Sequence, residues 1–157
     1  MWTVMDSPID ELRIVQHDGM ITAIEFSPFE ESAAIGARDD DDPVLAEARA
    51  QLTAYFAREL KEFDLPLGPQ GTPFQQRVWA ELQRIGYGET ASYGQIAHRI
   101  GMNNAASRAV GLANGRNRLP IVIPCHRVVG ANGSLTGFAG GIPRKQTLLE
   151  LEQEGLF

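Results

Sequence analysis

The chain has 157 residues, of which 43% are hydrophobic and 22% are charged, a composition typical of a soluble globular protein with one or two domains. It contains no apolar run long enough to cross a membrane, a single cysteine, which cannot form an internal disulfide, and no cysteine–histidine cluster with zinc-binding spacing. These features exclude a membrane protein and a zinc protein. They predict a cytoplasmic protein that needs no metal and no cofactor.

The net charge of −6 is distributed unevenly along the chain. Residues 1–68 contain 15 acidic and 5 basic residues, whereas residues 69–157 contain 5 acidic and 9 basic ones. Residues 90–149 contain no acid at all. Such an asymmetry indicates that the second half faces a polyanion, and the alternative is that the two halves pair with each other.

The first part of the chain predicts a small α/β unit. Two runs rich in β-forming residues flank the turn signal His17-Asp18-Gly19, and apolar residues recur at helical spacing from Val44 to Leu60. The aspartate-rich stretch at residues 37–43 is expected to be a solvated surface loop. Prolines and glycines then break both periodicities, and we place a domain boundary near residue 68.

Two short helices separated by a tight turn are predicted next, after an amphipathic helix over residues 74–85. Ser92 and Gln95 form a capping-box pattern at the start of the first short helix, which is expected to end at Gly101. The second is AASRAVGLANG, residues 105–115. A helix, a tight turn and a helix within about 25 residues indicate a helix-turn-helix motif.

The second of these helices offers few side chains that could read bases. Helices that read the major groove present several arginine, asparagine or glutamine side chains, but here Arg108 alone projects from a surface of small residues. This composition favours a sequence-tolerant contact with DNA in the minor groove. The alternative is a closely packed core helix with one exposed arginine, and the pattern does not decide between the two.

The only cysteine lies in the apolar run IVIPCHRVVG, residues 121–130. A lone cysteine in such a run is most often an inert core residue. Here Pro124 favours a turn at the thiol rather than a through-running strand. His126 and Arg127 would favour the thiolate if they lie close to Cys125, because positive charge and a proton acceptor lower the pKa of a thiol.

A helix predicted from Pro143 to Glu154, ending before Gly155, supplies a candidate partner for the histidine. Leucines define an apolar arc on this helix, and Glu152 falls inside that arc. A buried acid is costly unless it is paired, and His126 is the partner that fits in kind. In a Glu–His–Cys arrangement the acid orients the histidine and the histidine deprotonates the thiol, which activates the sulfur as a nucleophile. The alternative is that Glu152 is exposed in a frayed last turn of the helix.

These motifs together resemble the O6-alkylguanine-DNA alkyltransferases, also called methylated-DNA–protein-cysteine methyltransferases. The resemblance rests on PCHRVVG, SYGQIA, RAVG and GSLTGFAGGIPRKQTLLELE and covers all of residues 69–157. TVMDSPID and the AYFAREL–FDLPL region resemble the small N-terminal domain of the same family. The implied fold is a structural α/β N-terminal domain over residues 1–68, with a small antiparallel sheet plus a helix. A mainly α, catalytic and DNA-binding domain with a winged-helix-like helix-turn-helix follows over residues 69–157.

The resemblance implies five catalytic residues. Cys125 would accept the alkyl group directly from O6 of guanine, and His126, held by Glu152, would deprotonate it through a water molecule. Asn117 would organise the bend between the second short helix and an IVIP strand. Tyr93 would help to turn the nucleotide out of the duplex and would donate to guanine N3.

The resemblance also implies contacts with DNA and with the alkyl group. Arg108 would enter the base stack in place of the flipped nucleotide. Backbone groups of Cys125, Val128 and Ala139 would face the guanine. The implied DNA-binding residues are Tyr93, Ala106, Ser107, Arg108, Arg116 and Arg127. The implied substrate pocket consists of Pro120, Val128, Leu135, Phe138, Ala139 and Gly140.

The function implied is stoichiometric, self-inactivating repair of O6-alkylguanine in double-stranded DNA. The protein would bind DNA on the minor-groove side. The alkylated guanine would be flipped out of the duplex, since an enzyme cannot reach its O6 substituent inside the base stack. The protein is expected to be a monomer, with cooperative binding on DNA and O4-alkylthymine as open questions. The alternatives are a non-catalytic lesion sensor or DNA-binding regulator, and a Cys–His–Glu hydrolase.

Three features depart from the usual family pattern. The turn GMNNAASR is one residue longer than usual and lacks the typical proline. Phe138 stands where a tyrosine is common, and Ala139 stands where some relatives have serine, which leaves only a backbone donor towards O6. The preferred size of the alkyl group depends on this loop.

Overall fold

The computed structural model describes residues 1–154 and divides the chain into two compact units. The first unit is Met1–Gln70 and the second begins at Gly71, close to the predicted boundary near residue 68. Among the described residues, none of the helices combines the length and apolar content that a membrane-spanning segment requires.

The first unit is a three-stranded antiparallel sheet, in the order β1-β2-β3, with one α-helix. Its elements are β1 (Trp2–Met5), β2 (Leu12–His17), β3 (Met20–Phe26) and α1 (Pro43–Phe56). Asp18 and Gly19 both have positive φ, of 52° and 80°, as a two-residue type I′ hairpin turn requires. The predicted combination of a small antiparallel sheet and a helix is confirmed.

The aspartate-rich stretch at residues 37–43 is more than the solvated loop that the sequence predicted. The Asp42 side chain accepts from the Leu45 amide at the start of α1, and it also accepts from Gln16 of β2 at 3.1 Å. Asp40 accepts from the Thr3 hydroxyl of β1 at 2.7 Å. The aspartates therefore cap α1 and connect it to the sheet.

The second unit is mainly helical. Its elements are α2 (Pro73–Leu82), β4 (Ala91–Ser92), α3 (Tyr93–Arg99), α4 (Ser107–Gly115), β5 (Val128–Val129) and α5 (Ile142–Glu154), with one-turn 3-10 helices at Asn104–Ala106 and Cys125–Arg127. The short strands pair in parallel, with Ala91 opposite Val128. Helix α5 begins one residue before the predicted start, and its predicted end before Gly155 lies outside the described residues.

Helices α3 and α4 form the predicted helix-turn-helix. Ser92 and Gln95 make both hydrogen bonds of a capping box at the start of α3, as the sequence predicted. The lengthened turn is closed by two asparagines: the Asn103 side chain accepts from the Ala105 amide at 3.0 Å, and Oδ1 of Asn104 lies 3.2 Å from Nε2 of His98. The two asparagine side chains thus fix the turn by local hydrogen bonds.

The predicted IVIP strand is wrong. The chain between α4 and the Cys125–Arg127 turn instead folds back on itself in successive tight turns, in which the Ile123 amide donates to the Leu119 carbonyl oxygen and the Cys125 amide to the Ile123 carbonyl oxygen. Ile121 has a positive φ of 75°. Residues 119–129 are all buried, so their apolar character reflects a buried loop rather than a strand.

Candidate active site

Cys125 opens the one-turn 3-10 helix that leads directly into β5. At the end of this turn the Val128 amide donates to the Cys125 carbonyl oxygen. The same oxygen accepts from Nδ2 of Asn114 on α4 at 3.3 Å. Cys125 is 4% exposed, so the turn holds the sulfur inside the unit rather than on its surface.

Asn117 closes the loop that carries the chain from α4 to the thiol. Its Nδ2 donates to the Ile123 carbonyl oxygen at 2.8 Å, and its Oδ1 accepts from the Leu119 amide at 3.0 Å. The side chain is buried, and its hydrogen bond with Cys125 favours the ionised form of the thiol. The residue therefore lies where it can both shape the loop and act on the sulfur.

His126 and Glu152 form a buried acid–base pair. Nε2 of His126 lies 2.6 Å from Oε2 of Glu152, and the two side chains are 0% and 1% exposed. Oε1 of Glu152 also accepts from Nε of Arg127 at 2.8 Å and from the Gly88 amide at 3.3 Å. Glu152 is thus on the buried face of α5, and the structure brings together the two residues that helical spacing suggested as partners.

Two buried groups in this pair have shifted pKa values. Burial alone would raise the pKa of Glu152, but its bonds and charge interactions with His126 and Arg127 outweigh burial and lower the pKa to about 2. Burial also lowers the pKa of His126, against the opposing effect of Glu152. At neutral pH the pair therefore consists of a carboxylate and a neutral imidazole.

The hydrogen bonds of His126 define which of its nitrogens can act as a base. An ionised carboxylate only accepts hydrogen bonds, so Nε2 must carry the hydrogen that points to Glu152. Nδ1 then has a free lone pair, and it is buried with no hydrogen-bond partner among the described protein groups. The imidazole is held as a base whose accepting nitrogen is not engaged by the protein.

The thiol itself is not ionised in advance. Burial raises the pKa of Cys125 to about 11, although the hydrogen bond of Asn117 and the charge of Lys145 act in the opposite direction. The expectation that His126 and Arg127 would give a thiol with a lowered pKa is wrong. A backbone hydrogen bond of His126 does act in that direction, but burial outweighs it, the imidazole is neutral and the guanidinium is bound to Glu152. A thiol with this pKa would need a nearby base in order to react at neutral pH.

Arg127 does not lie where a DNA contact requires it. It is 6% exposed, it donates to both carboxylate oxygens of Glu152, and its Nη1 donates to the Ile85 carbonyl oxygen at 2.6 Å. The expectation that it binds DNA is corrected, since its charge is already neutralised inside the unit. Arg127 instead fixes the carboxylate that holds His126.

The other residues expected to contact DNA lie on the helix-turn-helix. Tyr93 is the first residue of α3, and its hydroxyl lies 3.0 Å from Oγ1 of Thr136 in the loop before α5. Helix α4 and the residues that flank it carry the rest of the set, which are Ala106 (buried), Ser107 (half-buried), and Arg108 and Arg116 (both exposed).

The residues expected to line the alkyl pocket belong to two segments. Pro120 and Val128 are buried in the turns and the strand on either side of the thiol. The remaining four lie in the loop of residues 130–141 between β5 and α5, and they are Leu135, Phe138 and Gly140, which are half-buried, and Ala139, which is exposed.

Lys145 belongs to the site although no motif in the sequence predicted a role for it. It is 0% exposed, and its Nζ donates to the carbonyl oxygens of Val128 at 2.5 Å and Thr136 at 2.7 Å. On α5 it precedes Leu148 by three positions and Glu152 by seven, which is the spacing of a single helix face. The helical period could therefore have predicted that Lys145 lies on the same face of α5 as Glu152. Asn114, by contrast, had no such signal.

Two family models match the chain and together cover nearly all of it. The model of the 6-O-methylguanine DNA methyltransferase DNA-binding domain matches residues 73–154, and that of the ribonuclease-like domain of the same proteins matches residues 1–69. The fold and the buried thiol site thus define a methyltransferase of DNA repair. The chain belongs to the 6-O-methylguanine DNA methyltransferase family.

Individual relatives agree with this assignment. The methylated-DNA–protein-cysteine methyltransferase of Mycolicibacterium paratuberculosis is 49% identical over 152 residues, which are 97% of this chain and 92% of the relative. The constitutive enzyme of that name from Bacillus subtilis is 45% identical, over 97% of this chain and 94% of the relative. A crystal structure of Mycobacterium tuberculosis OGT in complex with DNA matches with a TM-score of 0.89 and 49% identity, over 98% of this chain and 93% of that one. The expectation of a DNA-repair alkyltransferase, rather than a lesion sensor or regulator, is confirmed.

Proposed function

We propose that the protein repairs O6-alkylguanine in double-stranded DNA by moving the alkyl group to the sulfur of Cys125. The observation that carries this proposal is the buried pair of His126 and Glu152 beside the thiol, with 2.6 Å between Nε2 and Oε2. Because Glu152 fixes Nε2, the unengaged Nδ1 is free to take a proton. A thiol with a pKa of about 11 needs such a base to react at neutral pH.

The reaction proceeds by displacement at the alkyl carbon. His126 takes the proton of the thiol through a water molecule, and the sulfur forms a bond to the alkyl carbon. The bond between that carbon and O6 breaks, and its electron pair stays on the guanine. The Tyr93 hydroxyl donates a hydrogen bond to N3 of the departing guanine anion. His126 then releases the thiol proton to solvent and the guanine anion takes up a proton from solvent, so both end neutral.

The product on the protein is a thioether, and each molecule acts once. Water is a far weaker nucleophile towards a saturated carbon than a thiolate, and the chain has no second cysteine that could take the alkyl group from the sulfur. Loss of one thiol per lesion follows from this chemistry.

Helices α3 and α4 bind the duplex from the minor-groove side. The small side chains of α4 let its backbone approach the DNA closely, and exposed Arg108 enters the stack where the flipped nucleotide was. The absence of acids between residues 90 and 149 makes this part of the chain suitable for a polyanion. The second unit thus binds and repairs DNA.

The test is the mass of the intact protein after incubation with a duplex that carries one O6-methylguanine. We expect a gain of one CH2 unit, located on Cys125 by peptide mapping, that saturates at one per protein molecule. No gain in mass, with binding retained, would replace the proposal by a lesion sensor. A gain on another residue would remove Cys125 from its role.

A substitution of Arg108 separates its part in base flipping from the chemistry. Arg108→Ala is expected to slow repair of the duplex by about tenfold or more, the effect of losing one stacking contact. Reaction with free O6-benzylguanine should not change, because the free base needs no flipping. The rates of both reactions are measured by alkylation of Cys125.

Arg84→Ala is the matched control, since Arg84 is an exposed arginine that follows α2. This variant should repair both substrates normally. Equal losses on both substrates in Arg108→Ala would show that Arg108 supports the fold instead of entering the base stack.

A further inference from the structure

Lys145 is a fully buried lysine whose ammonium is held by carbonyl oxygens alone. Nζ donates to the Val128 and Thr136 carbonyl oxygens, and no carboxylate of residues 1–154 lies within salt-bridge distance of it. A buried charge without a counterion is unfavourable. A lysine buried in this way indicates a nearby group whose ionised form its charge would stabilise.

The group whose ionised form this charge would stabilise is the sulfur of Cys125. Val128, one of the two residues that hold Nζ, closes the turn that Cys125 opens. Burial lowers the pKa of Lys145, and the negative charge of the Cys125 thiolate opposes this effect. The positive charge of Lys145 in turn lowers the pKa of Cys125 against the effect of burial. A thiolate formed in this interior would otherwise face the same penalty of burial that keeps the thiol protonated.

The other charged groups near the thiol cannot supply this positive charge. His126 and Arg127 follow Cys125 on its own turn, and Glu152 faces them from α5. Arg127 and Glu152 neutralise each other, and His126 is neutral before it takes the proton. Asn117 contributes only a hydrogen bond. Lys145 is therefore the one cation among these neighbours that is not already paired with an anion.

We propose that Lys145 is a positioning residue of the alkyl-transfer reaction: its ammonium, fixed on the Val128 and Thr136 carbonyl oxygens, supplies the positive charge that the Cys125 thiolate needs. The inference rests on the proposed function of Cys125. The bond to Thr136 also ties the pocket loop to α5, so the same side chain holds the charge and the loop in one place.

The first experiment measures the ionisation of the thiol directly. Because the chain has a single cysteine, protein labelled with 13Cβ-cysteine gives one signal, and this signal needs no DNA. In Lys145→Met we expect the thiol pKa to rise by about one unit or more, so that alkyl transfer at neutral pH slows by about tenfold or more. Lys145→Arg keeps the positive charge, so its thiol pKa and its rate of alkyl transfer should both be close to those of the unaltered protein.

Lys61 is the only other lysine in the chain and is exposed, so Lys61→Met is the matched control and should titrate like the unaltered protein. An equal titration of Cys125 in folded Lys145→Met and in Lys61→Met would overturn the inference. A different result would overturn the proposed function and leave the electrostatic pairing intact. In that case the unaltered protein would fail to repair DNA, while the Cys125 pKa would still rise as expected in Lys145→Met.

A second experiment uses the unaltered protein and does not depend on whether Lys145→Met folds. With 15N-lysine labelling, two side-chain signals are expected, and the buried Lys145 ammonium should exchange its protons slowly while Lys61 exchanges fast. The Lys145 ammonium should titrate at a lower pH in Cys125→Ser than in the unaltered protein, because the negative charge that favours the ammonium is then missing. An equal titration midpoint of Lys145 in the unaltered protein and in Cys125→Ser would contradict the inference.

Discussion

Cys125→Ser is expected to accept no alkyl group while it binds a duplex with O6-methylguanine as tightly as the unaltered protein. Serine nearly preserves the size of the side chain, so the buried turn should remain in place. A hydroxyl is a much weaker nucleophile than a thiol at this site, and the rate should fall by more than about a thousandfold. Intact-protein mass measures the transfer, and fluorescence anisotropy of a labelled duplex measures the binding.

A second cysteine placed elsewhere is the control for this substitution. Ala80 is exposed on α2, and the double variant Cys125→Ser, Ala80→Cys has a thiol without the neighbouring base. It should remain inactive, because the chemistry depends on the site and not on the presence of a thiol. Loss of DNA binding in Cys125→Ser would instead indicate that the cysteine serves the fold.

Glu152→Gln is expected to have the second largest effect, on stability as well as on activity. The amide cannot neutralise Arg127, which stays buried with an unpaired charge, and the loss should be about 3–5 kcal/mol of unfolding free energy. His126 loses the carboxylate that fixes its proton on Nε2, so the apparent pKa of the thiol should rise and transfer should slow. Urea unfolding measures the first effect and the pH–rate profile measures the second.

The acid dependence of stability provides a separate test of the same residue. The folded-state pKa of Glu152 is about 2, below its ordinary value of 4.5, so its contribution to stability is complete above about pH 4.5 and is lost as the pH falls towards 2. In Glu152→Gln the unfolding free energy should not show this loss at acid pH. Glu150→Gln, an exposed change on the same helix, should keep it, and identical acid profiles for the two variants would contradict the assignment.

The sequence predicted most of the fold because local signals were strong in most of the chain. The Asp18-Gly19 hairpin, the Ser92 capping box and the leucine arc of α5 each depend on neighbouring residues, and each occurs in the structure. The position of Glu152 on the buried face followed from the same helical period. These features need only geometry within one element.

The features that sequence reasoning missed depend on contacts between segments. Residues 121–124 are apolar enough for a strand, but the hydrogen bonds of Asn117 fold them into turns. Arg127 has the charge of a DNA contact, but Glu152 lies close enough to bind it inside the unit. The raised pKa of Cys125 likewise follows from burial by distant parts of the chain, which no local pattern records.

The place of Glu152 in the chain has a consequence for protein synthesis. Glu152 lies near the end of α5, whereas the turn that it supports is made at residues 125–127. A ribosome-bound chain that has not yet reached residue 152 therefore has the thiol and the imidazole but not the carboxylate that orients them. We therefore expect the thiol to become able to accept an alkyl group only after α5 has folded onto the completed turn, so that a nascent chain would not consume its thiol before it can repair DNA.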